Sequence, residues 1–418
     1  MKRTAVIFWQ GWLDSSPTTI SLIEFLGEKG VMVDIYIRDD GQFDLGLIAN
    51  FDPKHFSFHK FGTYNEHRVL NKIFNLNRKL KYLKIGILTK LSNLIAKELN
   101  WIVEYRKIRT FLHAVRLVKK PRYEVAFCID SVGLYIYKNG RFHANKVVNV
   151  SLEILTRSKA LISGINFVLK RNERNMLHQE IDLTVIQDVH RWELFKRSND
   201  FTRDKFSLLP NSNRLSKSEI DIPHGVYFHE LFNLPMNTAI VLSAGLISEE
   251  VSSKDISKAV GDYHFSTPVK VVFHTAQSDV NSTYLNEIEK VGGSNVLLSL
   301  KPLPYNFIYK VFNSSKIGLV IYNKNNVENM LTIGHSSGKL FQHLKYGIPV
   351  IASNLPGLSD LVLENKCGIV IDECNEIPEA IEKILHDYPY YSRNARKAFH
   401  EKFNIDIYLS QIYQELFS

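Results

Sequence analysis

Cysteine is scarce in this chain: Cys128, Cys367 and Cys374 are the three among 418 residues, and no two form a CxxC pair. That excludes a disulfide-built scaffold and a zinc-ribbon site, and it points to a reducing compartment. No apolar run approaches the ~20 residues that span a bilayer. The opening Met1-Lys2-Arg3-Thr4-Ala5-Val6-Ile7-Phe8-Trp9 has only a short apolar stretch before Gln10. It is expected to form a first strand and not a signal peptide. Low-complexity segments and short-period repeats are also missing. Hydrophobic residues make up 45% and charged residues 23%, which excludes disordered, collagen-like and coiled-coil classes. At ~150 residues per domain, the length allows two or three globular domains with sizeable cores.

Charge is present and unevenly spread. The net charge is +9, but residues 60–122 alone carry 16 Lys/Arg against three acids, Glu66, Glu98 and Glu104. The rest of the chain is therefore net acidic. A long helix is expected over Val69 to Val118, with Leu80, Leu83, Ile87, Leu88, Leu91, Leu94 and Ile95 at 3, 4 and 7 spacing. Lys79, Lys81, Lys84 and Lys90 lie mostly between them. Such a face fits an anionic membrane surface or an acceptor carried on it. A solvated helical face is the plainer reading. No RRM, KH or helix-turn-helix signature accompanies the basic stretch, so no nucleic-acid partner is expected.

Strand and helix signals alternate along the chain. Thr4–Trp9, a helical stretch Thr18–Lys29 closed by Gly30, and Val33–Ile37 form a βαβ unit within the first forty residues. Tyr123–Asp130, Val147–Val150, Asp182–Gln187 and Phe206–Leu209 read as further strands. Residues 211–236 are polar and turn-rich and form a candidate linker. The alternation then restarts with Ala239–Ser243, Val269–His274, Val296–Leu298, Ile317–Tyr322, Val350–Ala352 and Ile369–Ile371. The expectation is an α/β protein of two Rossmann-like, doubly wound domains facing an interdomain cleft. The first covers 1–215 and the second 216–404, with the terminal helix 405–418 packing back on the first. Ligands bind such sheets beyond the carboxyl ends of the strands.

The most informative segment runs from Gly334 to Gly357. A polar, glycine-flanked turn opens a helix that Ser336 or Ser337 can cap. Leu340, Phe341 and Leu344 point to the core, and Gly347 ends the helix before Pro349. The unpaired N–H groups and positive end of such a helix suit a diphosphate. Lys339 stands in the first turn, where the helix dipole disfavours a cation unless an anion is near. An ordinary capped helix between two strands fits the local pattern equally well.

Ser336-Ser337-Gly338-Lys339-Leu340-Phe341-Gln342-His343-Leu344, followed by Gly347-Ile348-Pro349-Val350-Ile351-Ala352-Ser353, resembles the donor-binding segment of GT-B glycosyltransferases, close to the family 4 type. Ile317–Tyr322 and Leu355–Val362 resemble the stretches before and after it. Val148–Glu153 and Leu209–Ser212 resemble landmarks of the N-terminal domain. The likeness covers most of 120–400. It implies that Ser336, Ser337 and Gly338 meet the donor diphosphate. It also implies that Gln342 replaces the glutamate that holds the nucleotide ribose, without its charge. Gly245, after the first strand of the second domain, His335 in the turn, Lys339 and Arg191 complete the implied donor site. Arg191 could instead pair with Asp188. Two departures stand out. Gly334 occupies the place of a glutamate found in retaining members, and the stretch 244–254 has no arginine.

Glycosyl transfer needs positive groups for the leaving diphosphate and, in an inverting enzyme, a base for the acceptor hydroxyl. With no DxD-type motif, no metal and no other cofactor are expected. Asp130 and Glu153, each following a strand, and Asp14, after the first strand, are the candidate bases. The sequence is thus read as a metal-independent, hexosyl-type GT-B glycosyltransferase of bacterial polysaccharide or cell-surface glycan synthesis. It would take a nucleotide-sugar donor and a glycan or lipid-linked acceptor, and would be cytoplasmic, peripheral at the inner face of the membrane. A GT-B nucleotide-sugar epimerase and a non-catalytic glycan- or nucleic-acid-binding protein remain open.

Overall fold

A computed structural model describes residues 2–8, 13, 16–39, 51–62, 86–161, 163–215, 224–276, 281–304, 307–325 and 328–418, with the backbone alone over 86–101. The chain divides into two compact units. One comprises Met1–Ser16, Leu22–Ile186 and Glu193–Ser207; the other comprises Pro17–Ser21, Gln187–Trp192 and Leu208–Ser418.

The first unit holds a seven-stranded sheet in the order β3-β2-β1-β4-β5-β6-β7. Its strands are β1 (Arg3–Phe8), β2 (Met32–Asp39), β3 (Phe56–Gly62), β4 (Tyr123–Ile129), β5 (Ala144–Val150), β6 (Leu183–Ile186) and β7 (Phe206–Leu208). β1 pairs in parallel with both β2 and β4. Helices cover both faces of such a sheet, so its central strands read as continuous apolar runs. Ala5 to Phe8 and Val125 to Ile129 are all buried.

The long helix runs over Gly86–Leu117. Its later turns set Ile108, Phe111, Leu112 and Val115 into the core at 3 and 4 spacing. Lys79, Lys81 and Lys84 lie outside the described residues, and Lys90 is described by its backbone alone.

A polar network sits among the apolar strands. Arg3 donates Nε and Nη2 to the two carboxylate oxygens of Asp34, each at 2.9 Å. The Tyr123 hydroxyl donates to Asp34 Oδ2 at 2.8 Å and shares a 2.7 Å hydrogen bond with the Tyr36 hydroxyl. Burial alone would raise the Asp34 carboxyl, but the bonds from His59, Arg3 and Tyr123 outweigh it and hold it at about 2. This lowered value makes the ionised carboxylate stabilising above its unfolded pKa of 3.8. The contribution, ~2 kcal/mol, fades as pH falls towards 2. Asp34→Asn is expected to cost about that much in urea unfolding at pH 7. The gap to wild type should narrow between pH 4 and pH 2, and a gap constant with pH would refute the assignment.

The second unit holds a six-stranded sheet in the order β10-β9-β8-β11-β12-β13. Its strands are β8 (Ala239–Ala244), β9 (Val269–His274), β10 (Val296–Ser299), β11 (Ile317–Val320), β12 (Val350–Ser353) and β13 (Gly368–Ile371). β9 pairs in parallel with β10 and β8, β11 with β8 and β12, and β12 with β13. Ile317, Leu319, Ile351 and Val271 fill one face; Leu340, Phe341, Leu344 and Val350 lie in a second cluster. The terminal helix Ile405–Phe417 is capped by Asn404 and tied by Asp406 to Arg214 at 2.7 Å.

Candidate functional site

Strand order reverses beside the first strand of each sheet, between β1 and β4 and between β8 and β11. The carboxyl ends of strands at such a reversal are where α/β sheets take ligands. In the first unit, Asp130 stands directly after β4 and opens the helix Asp130–Asn139. Its backbone is left-handed, φ +59°, so the chain turns sharply from strand to helix at this residue. Gly133 permits the turn. A Cβ there would lie 3.0 Å from the Ile7 carbonyl oxygen and 3.0 Å from the Cys128 carbonyl carbon.

Asp130 is half-buried, and its Oδ1 accepts the Glu153 backbone N–H at 2.8 Å. Burial pushes its carboxyl up to about 7, and the charges of Glu153 and Glu173 act in the same direction. The N–H groups of Glu153 and Leu152 work against them. Glu173 is itself buried on the helix Gly164–Gln179 and paired with Lys170 at 2.8 Å. A carboxyl near 7 suits general base chemistry close to neutrality, which is the role expected of Asp130 from the sequence. Glu153 is exposed and supplies its backbone to Asp130. Asp14 lies outside the described residues.

In the second unit, Gly245 follows β8 with φ +105°, and nothing lies within 4 Å of the position a Cβ would take. The polar turn is a short 3-10 turn, Gly334–Ser336, leading into the helix Gly338–Lys345. Its amides divide into two groups. His335 N–H donates to Asp188 Oδ2 at 3.1 Å, Ser336 N–H to the Ile333 carbonyl, and Ser337 N–H to the Gly334 carbonyl. The N–H groups of Gly338 and Lys339 find no acceptor among the described residues. Among the described residues, the amides without an acceptor at this helix end therefore lie one step later than the serines.

Ser337 occupies the cap position without capping. Its hydroxyl goes instead to the Tyr322 hydroxyl, 2.8 Å away. Ser336 Oγ donates to Ile333 O and accepts from Arg191 Nη1 at 3.1 Å. Arg191 is 1% exposed, and its Nε reaches Gln187 at 2.6 Å. Its backbone N–H donates to Asp188 Oδ1 at 2.8 Å. Arg191 thus braces the turn from beneath, and Asp188 joins the two segments by accepting from both backbones. Asn211 adds a second brace: its N–H donates to His335 O at 2.8 Å and its Nδ2 to Ser336 O at 3.1 Å.

Lys339 has no carboxylate partner among the described residues. Its Nζ lies 3.5 Å from the Ile321 carbonyl oxygen and 4.4 Å from the centroid of the Tyr322 ring. Burial lowers its ammonium to about 7. Gln342, one turn on, is 9% exposed and its amide has no hydrogen-bond partner among the described residues. His335 is half-buried against Phe341 and Phe403, and burial lowers its ring pKa. The missing glutamate also has a steric cause. A Cβ on Gly334 would stand 2.7 Å from the Gly357 carbonyl carbon, so no side chain fits there.

Tyr322, Asp188 and Asn211 were not singled out as site residues from the sequence. Their roles depend on pairings across long stretches of chain. A tyrosine ending an otherwise aliphatic strand was the one local signal. No group of three or more His, Cys, Asp or Glu placed to hold a metal occurs among the described residues. No helix among them is long and apolar enough to cross a membrane.

Two Rossmann-like parallel sheets, each with its polar residues at the strand-order reversal, define the GT-B fold. Residues 267–416, which include the turn and Lys339, match the family model of the glucosyltransferase 3-like C-terminal domain. Sucrose-phosphate synthase from Thermosynechococcus elongatus is similar in structure, at 14% identity and TM-score 0.62, over 100% of this chain and 99% of that one. HepE of Anabaena in complex with UDP-glucose gives 12%, 0.62, and the same two coverages. The UDP-forming trehalose-phosphate synthase of Burkholderia vietnamiensis gives 9% and 0.65 over 99% of each chain. Likeness at these identities establishes the fold. No curated protein matches the chain in sequence.

Proposed function

We propose that the protein is a glycosyltransferase that takes a sugar from a nucleoside diphosphate donor to a glycan or lipid-linked acceptor in bacterial glycan synthesis. One observation carries the donor side: two amides without an acceptor and a lysine without a carboxylate partner among the described residues share the first turn of the helix Gly338–Lys345. Such an arrangement attracts an anion, and a diphosphate fits it. Gln342 is then the hydrogen-bonding partner for the ribose. The leaving diphosphate is stabilised by these groups without a metal ion. The family match over the same residues and the UDP-glucose complex of HepE support a hexosyl donor, with UDP-glucose the first to try.

On the acceptor side, Asp130 takes the proton of the attacking hydroxyl. The test is a thermal-shift screen of UDP-, GDP-, CMP- and TDP-sugars. The stabilising donor is then incubated with and without lipid-extracted bacterial acceptors while nucleotide release is measured. Stabilisation by one class of nucleotide sugar and acceptor-dependent release are expected. Conversion of the donor without acceptor would indicate epimerisation instead, and no stabilisation by any nucleotide sugar would defeat the reading.

A further inference from the structure

We propose that Tyr322 is the positioning residue of the donor site: its ring holds the Lys339 ammonium and its hydroxyl fixes Ser337, so that lysine and helix amides converge on one diphosphate. The inference rests on the donor-site reading above.

The first turn of a helix repels a cation, because the unpaired N–H groups there carry partial positive charge. With no carboxylate among the described residues to hold it, Lys339 needs another reason to stay near the helix end. The Tyr322 ring supplies one. Nζ stands 4.4 Å from the ring centroid, within the range of an attractive cation–ring contact, and 3.5 Å from the Ile321 carbonyl oxygen. The ring itself is immobilised. Tyr322 is 8% exposed, its N–H donates to Ser353 Oγ at 3.0 Å, and Ser353 Oγ donates back to the Tyr322 carbonyl at 3.1 Å. The end of β12 thereby clamps Tyr322, two positions beyond β11.

The hydroxyl does separate work. A serine at a helix cap ordinarily turns its oxygen onto the N–H of the second or third helical residue. Here that would occupy Lys339 N–H or Leu340 N–H. The 2.8 Å bond to Tyr322 draws Ser337 Oγ away, and the first amides stay available to a ligand. One side chain therefore sets both the cation and the donors, and neither effect requires Tyr322 to touch the ligand.

The two functions separate by substitution. Tyr322→Phe keeps the ring and loses the hydroxyl; Tyr322→Leu loses both. UDP affinity is measured by calorimetry for wild type, Tyr322→Phe, Tyr322→Leu, Lys339→Met and the Lys339→Met/Tyr322→Leu double variant, each checked for a cooperative melt. Expected are a loss of about tenfold in Tyr322→Leu, a smaller loss in Tyr322→Phe, and a double variant that binds worse than Lys339→Met alone by no more than the Tyr322→Phe loss. Tyr322→Leu binding like wild type while Lys339→Met is weakened would overturn the inference and leave the donor-site reading standing. Fully additive losses in the double variant would also overturn it, since the ring would then act apart from the lysine. UDP binding unaffected in Lys339→Met would remove the donor-site reading and this inference with it.

Discussion

Lys339→Met should bind UDP roughly ten- to hundredfold more weakly than wild type while melting a few degrees higher. The loss follows from removing a charged hydrogen-bond donor, worth ~1.5–3 kcal/mol, from a diphosphate. The gain follows from the free protein. Burial lowers the ammonium from 10.5 to about 7, with no carboxylate among the described residues to offset it. The unfolded chain therefore holds the proton more tightly than the folded one between pH 7 and 10.5. In that window wild-type stability rises with pH. The advantage of methionine is full below pH 7 and shrinks towards pH 10.5. Because Lys339 stays half-buried, ~1–2 kcal/mol is expected at pH 7, read by melting across that range. Ligand affinity runs the other way: it weakens above pH 7 as the free lysine loses its proton. A variant that loses affinity without gaining stability would mean that the lysine is already paired in solution.

This opposition between stability and binding explains why the site was only partly legible in the sequence. The alternation of strands and helices marked both sheets, because parallel strands covered on both faces must be apolar and must be joined by helices. Gly347 as a helix stop was visible for the same local reason, and its φ is +67°. The cap was not. Ser337 is the right residue type in the right place, but its hydroxyl serves Tyr322, fifteen residues away in sequence. Lys339 stood out because it broke a local rule. What holds it, and what fills the place of the absent glutamate, depends on contacts that only folding creates: Tyr322 beneath the ammonium, and Gly357 against Gly334. The Arg3–Asp34–Tyr123 network was hidden likewise, since each member sits on a different strand in an apolar pattern.

Asp130→Asn should reduce turnover by ~10²–10⁴-fold and leave UDP affinity unchanged. The asparagine keeps the shape and can still accept the Glu153 N–H, but it cannot take a proton. Wild-type kcat/KM should fall below pH 7 as Asp130 becomes protonated, because burial holds its carboxyl at about 7. Glu153→Gln removes a charge that raises this value. It is expected to move the acid limb to lower pH and to keep most of the turnover at pH 8. The left-handed backbone at Asp130 makes a third variant informative: Asp130→Gly relieves φ +59° and so keeps the turn, yet should be as inactive as the asparagine. A base that deprotonates the acceptor hydroxyl serves a single displacement. The donor's anomeric configuration should therefore be inverted in the product, which proton NMR of the first turnovers reads directly. Retained configuration, or an Asp130→Asn enzyme with wild-type turnover, would transfer the base role away from this residue.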